Sequence, residues 1–286
     1  MNESVPPILS VNDVKRFMNH PDVIIVDARG GADAYKRYED GHLKGAIFMD
    51  LETDLSQKGA DAAQGGRHPL PDPRTFGSLL GKVGISPSNH VLVYDDKAGA
   101  NAAARFWWMM KALGHQRIQV IDGGLAALRS SGLPISSGAS EIPGKKSLYP
   151  VQSWGLPTAD METVEKGLRD QNSLVIDVRE GYRYRGESEP IDLVAGHIPG
   201  AVNIPYLDNL EPDGKFKSAE TLRKEYKTLT ENPKYKDVIV HCGSGVTACH
   251  TLLAMDLAGL TGASVYVGSW SEWSRNEKPI AIGEKT

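Results

Sequence analysis

The stretch Val238-Ile-Val-His-Cys-Gly-Ser-Gly-Val-Thr-Ala248 carries an apolar run to a cysteine and then, through a glycine-rich turn, directly into a helical pattern. Val238, Ile239 and Val240 read as the buried end of a parallel strand, and Thr247 to Leu260 repeats its apolar residues with helical spacing. Gly243 and Gly245 permit a turn whose backbone N–H groups point inward, and the helix that follows presents its positive end. A sulfur anion at Cys242 would meet several donors there. A free thiol near pKa ~8.5 is mostly protonated at neutral pH, and a helix terminus contributes at best ~2 kcal/mol toward ionising it. Direct hydrogen bonds from the turn must therefore add to the dipole if Cys242 is the nucleophile this arrangement predicts. The strand-to-helix junction and two glycines argue against a merely packed thiol.

Spacing excludes two neighbouring chemistries. A cysteine phosphatase needs an arginine six positions after its cysteine, because a guanidinium forks onto two phosphate oxygens; here that position is Ala248. A cysteine protease needs an imidazole beside the sulfur, and neighbours on a strand point to opposite faces, which removes His241.

The chain repeats itself. Ile25-Val-Asp-Ala-Arg29, Gly41-His-Leu-Lys-Gly-Ala46, Val91-Leu-Val-Tyr-Asp95 and Val120-Ile-Asp-Gly-Gly124 recur in the same order as Val175-Ile-Asp-Val-Arg179, Gly196 to Ala201, Val238 to Cys242 and Val265 to Ser269. Asp27 and Asp177 lie 150 positions apart (177 minus 27), a domain-sized period. Each half alternates short β-rich runs with helical segments such as Asn101 to Leu113 and Ala219 to Leu229. That alternation predicts an α/β fold: two tandem domains, each a mostly parallel central sheet flanked by helices. Ser, Gly, Pro and Lys with little apolar periodicity mark a linker, so the expected division is a first domain at 1–140, a linker at 141–157 and a second domain at 158–286. Asp95 stands where the repeat has Cys242, and a carboxylate cannot replace a thiolate nucleophile. The first domain is expected to be catalytically inactive.

Composition sets outer bounds. The net charge of -4, from 32 Lys+Arg against 36 Asp+Glu, implies no broad basic surface for nucleic acid. Two cysteines in 286 residues leave no disulfide framework. Met1 to Pro7 has neither a basic cap nor an apolar core, and no unbroken apolar run reaches membrane length, so a reducing, cytoplasmic setting without membrane partners is expected. No ligand cluster or nucleotide fingerprint calls for a metal or organic cofactor.

His-Cys-Gly-Ser-Gly-Val-Thr-Ala248 resembles the active-site loop of the 3-mercaptopyruvate sulfurtransferases, within the rhodanese superfamily. Gly196-His-Ile-Pro-Gly-Ala-Val-Asn-Ile-Pro-Tyr206 and Val265-Tyr-Val-Gly-Ser-Trp-Ser-Glu-Trp273 resemble that superfamily's two signatures, and the likeness runs nearly end to end. The resemblance implies two rhodanese-like domains and transfer of a sulfur atom through a Cys242 persulfide. The donor would be a small molecule, 3-mercaptopyruvate or thiosulfate, and the acceptor cyanide or a thiol such as thioredoxin.

Around Cys242, the loop residues Gly243, Gly245, Val246 and Thr247 are expected to line the substrate. Ser244 either donates to an incoming carbonyl or sulfur or bonds its own turn. Thr247 either caps the helix or bonds the sulfur. In Tyr182-Arg-Tyr-Arg-Gly186, resemblance assigns Arg183 to the substrate anion and leaves Arg185 a solvated or structural charge. His68, in the Gly- and Pro-bounded stretch Gly65 to Pro71, is either structural or, by resemblance, a proton relay with Ser244 and the upstream acid Glu52, with Asp54 as its possible substitute. His42, His197, Asp27-Arg29 and Asp177-Arg179 occur in both copies and are expected to be structural. Cys249 is expected to be a packed thiol.

One departure stands out. The resemblance leads one to expect a second arginine shortly after Glu189-Pro190, where this chain has Ile191-Asp192. The loop, without Lys or Arg, favours 3-mercaptopyruvate over the thiosulfate dianion, and Asp192→Arg is expected to lower KM for the former. The competing class, a non-catalytic tandem scaffold, has no use for an activated thiol at Cys242.

Overall fold

The computed structural model describes residues 5–140, 148–151 and 153–284. These residues form two units. The first holds Met1–Gln57, Leu70–Gly155 and Asp213–Lys215, and the second holds Lys58–Pro69, Leu156–Pro212 and Phe216–Thr286.

In the first unit the strands are β1 (Ile8–Leu9), β2 (Val23–Arg29), β3 (His42–Leu43), β4 (Ile47–Asp50), β5 (His90–Tyr94), β6 (Ile118–Ile121) and β7 (Ile135–Ser136). Its helices are α1 (Val11–Val14), α2 (Ala34–Asp40), α3 (Pro73–Lys82), α4 (Ala102–Ala112) and α5 (Gly124–Ser130). Five strands pair in the order β1-β6-β5-β2-β4, all parallel, and β3 and β7 form a small antiparallel pair. The second unit contains β8 (Thr158–Ala159), β9 (Ser173–Asp177), β10 (Val202–Asn203), β11 (Asp237–His241) and β12 (Ser264–Tyr266). With them come α6 (Met161–Arg169), α7 (Gly181–Tyr184), α8 (Ala219–Thr230), α9 (Ala248–Leu257) and α10 (Ser269–Trp273). Its parallel order, β10-β9-β11-β12-β8, is the first sheet's order rewritten with the corresponding strands. Strands β5 and β9, buried from end to end, have the apolar centres Val91–Val93 and Leu174–Ile176, because helices cover both faces of a parallel sheet. Helix starts follow the capping residues: Asp72 accepts the N–H groups of Arg74 and Thr75, and Ser218 accepts that of Thr221.

The duplicated motifs build the same latch twice. Arg29 binds Asp27 and reaches the carbonyl of Gly41 at 2.9 Å; Arg179 binds Asp177 and reaches that of Gly196 at 2.8 Å. The histidine after each of these glycines stacks on a tyrosine, His42 on Tyr38 at 4.0 Å and His197 on Tyr184 at 3.7 Å. The two tyrosine hydroxyls donate to the carbonyls of Ala46 and Ala201. Each latch ties a strand end, a short helix and the following loop together. Burial alone would raise the Asp177 carboxyl, but the charge and hydrogen bonds of Arg179 hold it below the ordinary carboxylate range.

The boundaries are less simple than a cut between the halves. Segment Lys58–Pro69 belongs to the second unit and Asp213–Lys215 to the first. Residues 141–147 and 152 of the expected linker lie outside the described residues, and the rest of it up to Gly155 packs on the first unit. The Tyr149 hydroxyl shares a 2.7 Å hydrogen bond with His115, and the Gly155 N–H donates to Ala112. Among the described residues no helix is long and apolar enough to cross a membrane.

Candidate active site

Cys242 follows the last residue of β11, where parallel sheets of this kind bind ligands. Its side chain is 3 % exposed. The turn after it is pinned by the first turn of α10: the N–H groups of Trp270 and Ser271 donate to the carbonyls of Cys242 and Gly243 at 3.0 and 2.9 Å. The described peptide bonds here are trans, so the N–H groups of Gly243 and Ser244 point the opposite way from those carbonyls, away from α10. The Cys242 N–H is itself held by Ser269 Oγ at 3.2 Å. Gly245 has φ +71°, and a Cβ there would lie 2.6 Å from the carbonyl oxygen of Val267. Only glycine fits that close approach. Val246 is buried, and Thr247, already in helical conformation, makes no side-chain cap, which removes the capping role from its two readings. Cys249 donates its thiol to the Gly245 carbonyl at 3.3 Å and is packed; neither cysteine forms a disulfide.

The first unit shows what such a turn does with an anion of its own. Asp95 follows β5 as Cys242 follows β11, and its carboxylate collects the N–H groups of Lys97, Gly99, Asn101 and Ala103 at 2.8 to 3.2 Å. Burial raises its pKa and the four donors draw it back.

Ser244 Oγ and His68 Nδ1 share a hydrogen bond of 2.7 Å, both groups buried. His68 belongs to the Lys58–Pro69 segment, which is fastened to α10. Gly65 donates to Glu272 Oε1 at 2.7 Å, Arg67 donates its N–H to Ser271 Oγ at 3.1 Å, and Asn276 donates to the Ala63 carbonyl at 2.8 Å. Gly66, at φ +79°, passes so close to Gly268 that a Cβ would collide with its carbonyl oxygen. Glu52 lies in the first unit, in the turn after β4, its N–H donating to Asp50 Oδ1 at 2.6 Å. Asp54 accepts the Asp50 N–H, and burial raises its carboxyl.

Arg183, on α7, is 7 % exposed and spends its guanidinium on carboxylates. Its Nη2 and Nε reach Glu189 at 2.7 and 3.1 Å, and its Nη1 faces Glu180 at 3.5 Å. Burial opposes the charge of each, yet their pairing keeps Arg183 above its ordinary range and Glu189 below. Arg185 pairs with exposed Glu187. His241 faces Asp177 across the sheet at 3.8 Å, and burial lowers its pKa; it is a neutral core ring.

Two residues that the sequence does not flag, Arg67 and Arg275, bind Asp192. Its side chain is fully buried, bound by Arg67 Nε and Nη2 at 3.0 and 3.3 Å and by Arg275 Nη1 at 3.1 Å, with Arg183 Nη2 at 3.6 Å. A Cβ built on Gly243 would lie 2.9 Å from Arg67 Nη2 and 3.4 Å from Arg183 Nη2, so both guanidiniums converge beside the residue after Cys242. The aspartate in the arginine's expected place was the available sign of this network. A carboxylate that reverses an expected charge calls for a compensating cation nearby, and Arg67 sits in the stretch already singled out for His68.

Rhodanese-like domains match residues 10–131 and 160–276. A probable 3-mercaptopyruvate sulfurtransferase of Pseudomonas aeruginosa is 38 % identical over 97 % of this chain and 98 % of its own length. A thiosulfate sulfurtransferase of Mus musculus is 35 % identical over 91 % of this chain and 87 % of its own. Among solved structures, the 3-mercaptopyruvate sulfurtransferase from Leishmania major superposes with a TM-score of 0.80 at 31 % identity, covering 95 % of this chain and 75 % of that one. With a cysteine-bearing loop in the second of two matched copies and relatives of this identity along nearly its whole length, the chain belongs to the family of rhodanese-like-domain proteins, as a tandem-domain sulfurtransferase.

Proposed function

We propose that the chain moves sulfur from 3-mercaptopyruvate, through a persulfide on Cys242, to a thiol or cyanide acceptor. The observation that carries this reading is the convergence on one turn of a thiol, a serine–histidine pair and two guanidiniums. The Cys242 thiolate attacks the donor's sulfur, the carbon–sulfur bond breaks, and its electron pair passes to the donor carbon as the enolate of pyruvate. A proton then completes pyruvate, leaving the persulfide anion on the enzyme. Ser244, bonded to His68, supports the enolate oxygen and handles that proton. Glu52, the acid that resemblance adds to this relay, belongs to the first unit. In the second half-reaction an acceptor thiolate, such as reduced thioredoxin or a small thiol, or cyanide, attacks the outer sulfur and releases Cys242 as thiolate. No external oxidant enters. Two free thiols fit a reducing, cytoplasmic setting.

Gly243, Ser244, Gly245, Val246 and Thr247 contain no cation, and the guanidiniums beside Gly243 are matched by Asp192 and Glu189, which favours a monoanionic keto acid over thiosulfate at the reacting sulfur. The test is intact-mass measurement after incubation with 3-mercaptopyruvate and no acceptor. The parent is expected to gain one sulfur atom and Cys242→Ser none. Sulfur on Cys249 instead would overturn the nucleophile, and kcat/KM favouring thiosulfate about tenfold, ~1.4 kcal/mol, would overturn the donor.

A further inference from the structure

We propose that Arg67 is a substrate-positioning residue, supplying the hydrogen-bonding guanidinium that the segment after Glu189-Pro190 lacks, with buried Asp192 as its tether. The inference rests on the sulfurtransferase reading above and names the group that holds the donor's anionic end.

Arg183 contributes charge but has little left to give as a donor. Its Nε and Nη2 are committed to Glu189, its Nη1 faces Glu180, and it is almost wholly buried. Arg67 is committed on one edge only. Nε and Nη2 grip the two oxygens of Asp192, while the Nη1–Nη2 edge makes no protein hydrogen bond among the described residues, and a quarter of the side chain is exposed. A guanidinium has two such forked edges, each matched to a carboxylate. Nη2, shared by both edges, lies within contact distance of the space above Gly243.

Asp192 is what aims it. Its carboxylate has no exposed surface and is clamped also by Arg275, so it fixes the plane of the Arg67 fork; its Oδ2 would lie 3.5 Å from a Cβ on Gly243, beyond Arg67 Nη2 at 2.9 Å. The backbone is fixed as well, by the Arg67 N–H on Ser271 Oγ and by the tight passage of Gly66. A charge exchange has thus occurred within the site. The acid occupies the expected arginine position and the guanidinium comes from the residue before His68.

The experiment measures KM and kcat of Arg67→Met and Arg67→Lys with 3-mercaptopyruvate and with its methyl ester, which lacks the carboxylate. Arg67→Met should raise KM for the acid about 10- to 100-fold with kcat within a few-fold, the loss expected for one charged hydrogen-bonded contact. The ester should lose little, so the parent's preference for acid over ester should collapse; Arg67→Lys should recover only part of it. Removing Arg67 alone also leaves Asp192 short of a partner, so Arg67→Met/Asp192→Asn, which removes both charges, separates the two roles. If Arg67 only neutralises Asp192, the double variant returns KM to the parent's value and the proposal falls. If KM stays high with the fold intact by circular dichroism, it stands. Should the parent take sulfur only from thiosulfate, the donor reading fails by itself. Arg67 is then judged on thiosulfate by the same variants, where an unchanged KM overturns it.

Discussion

Replacing Asp95 by asparagine exchanges one oxygen for an NH2 group, and the first unit should register that exchange as lost stability rather than lost chemistry. The carboxylate accepts four N–H groups, two on each oxygen, from Lys97 and Gly99 at 2.8 Å and from Asn101 and Ala103 at 3.0 and 3.2 Å. An amide keeps one acceptor oxygen and turns donors toward the other pair. Two N–H groups, one buried and one part-buried, lose their partner, at about 1–3 kcal/mol each as an upper range, roughly 2–6 kcal/mol in all. Against a domain stability of about 5–15 kcal/mol the first unit should still fold, but locally loosened where α4 begins. Hydrogen exchange resolved to peptides of α4 and α9 reads this directly: α4 should lose protection while α9 serves as the internal reference. Turnover per folded molecule should stay within a few-fold of the parent. Unchanged protection of α4 would refute the hydrogen-bond reasoning. A hundredfold loss of turnover with α4 still protected would give Asp95 a part in the reaction itself.

Asp192→Arg would bring a fourth guanidinium against Arg67, Arg183 and Arg275 in a buried position, so denaturant unfolding should show a loss of about 3 kcal/mol or more, and KM for 3-mercaptopyruvate should not fall. This reverses what the sequence leads one to expect, and a lower KM in a stable variant would refute it. His250 is fully buried, and burial depresses its pKa to about 3. Its folded pKa lies below the unfolded value near 6.5, so the unfolded chain binds a proton first. Stability should be full above pH ~6.5 and fall by at most about 1.4 kcal/mol per pH unit toward pH 3. His250→Gln should flatten that slope in urea titrations at stepped pH, and an unaltered slope would assign it to other groups.

The parts legible in the sequence are those written in consecutive residues. The run Val238 to Thr247 contains its strand, its turn and its helix start, and duplication of Asp-x-Arg and Gly-His marks those groups as architecture, because both copies build the same latch. The division of the chain was less legible. Segment Lys58–Pro69 carries no periodicity and belongs to the second unit through Gly65, Arg67 and Asn276, partners some two hundred positions apart in sequence. Asp192 reads in sequence as a missing arginine. Its meaning lies in three side chains from separate stretches, which no local pattern brings together. Thr247 looks like a capping residue by type, but its helical backbone puts the hydroxyl out of capping geometry.

Helix α10 holds the reacting turn by Trp270 and Ser271 and holds the Arg67 segment by Ser271 and Glu272. Five residues therefore act as a gauge, tying the turn after Cys242 and the Arg67 backbone to one element. What such a gauge measures is length. If Cys242 takes up the sulfur and Arg67 holds the donor's anionic end, as proposed, selectivity among chemically similar donors becomes a matter of registration against α10.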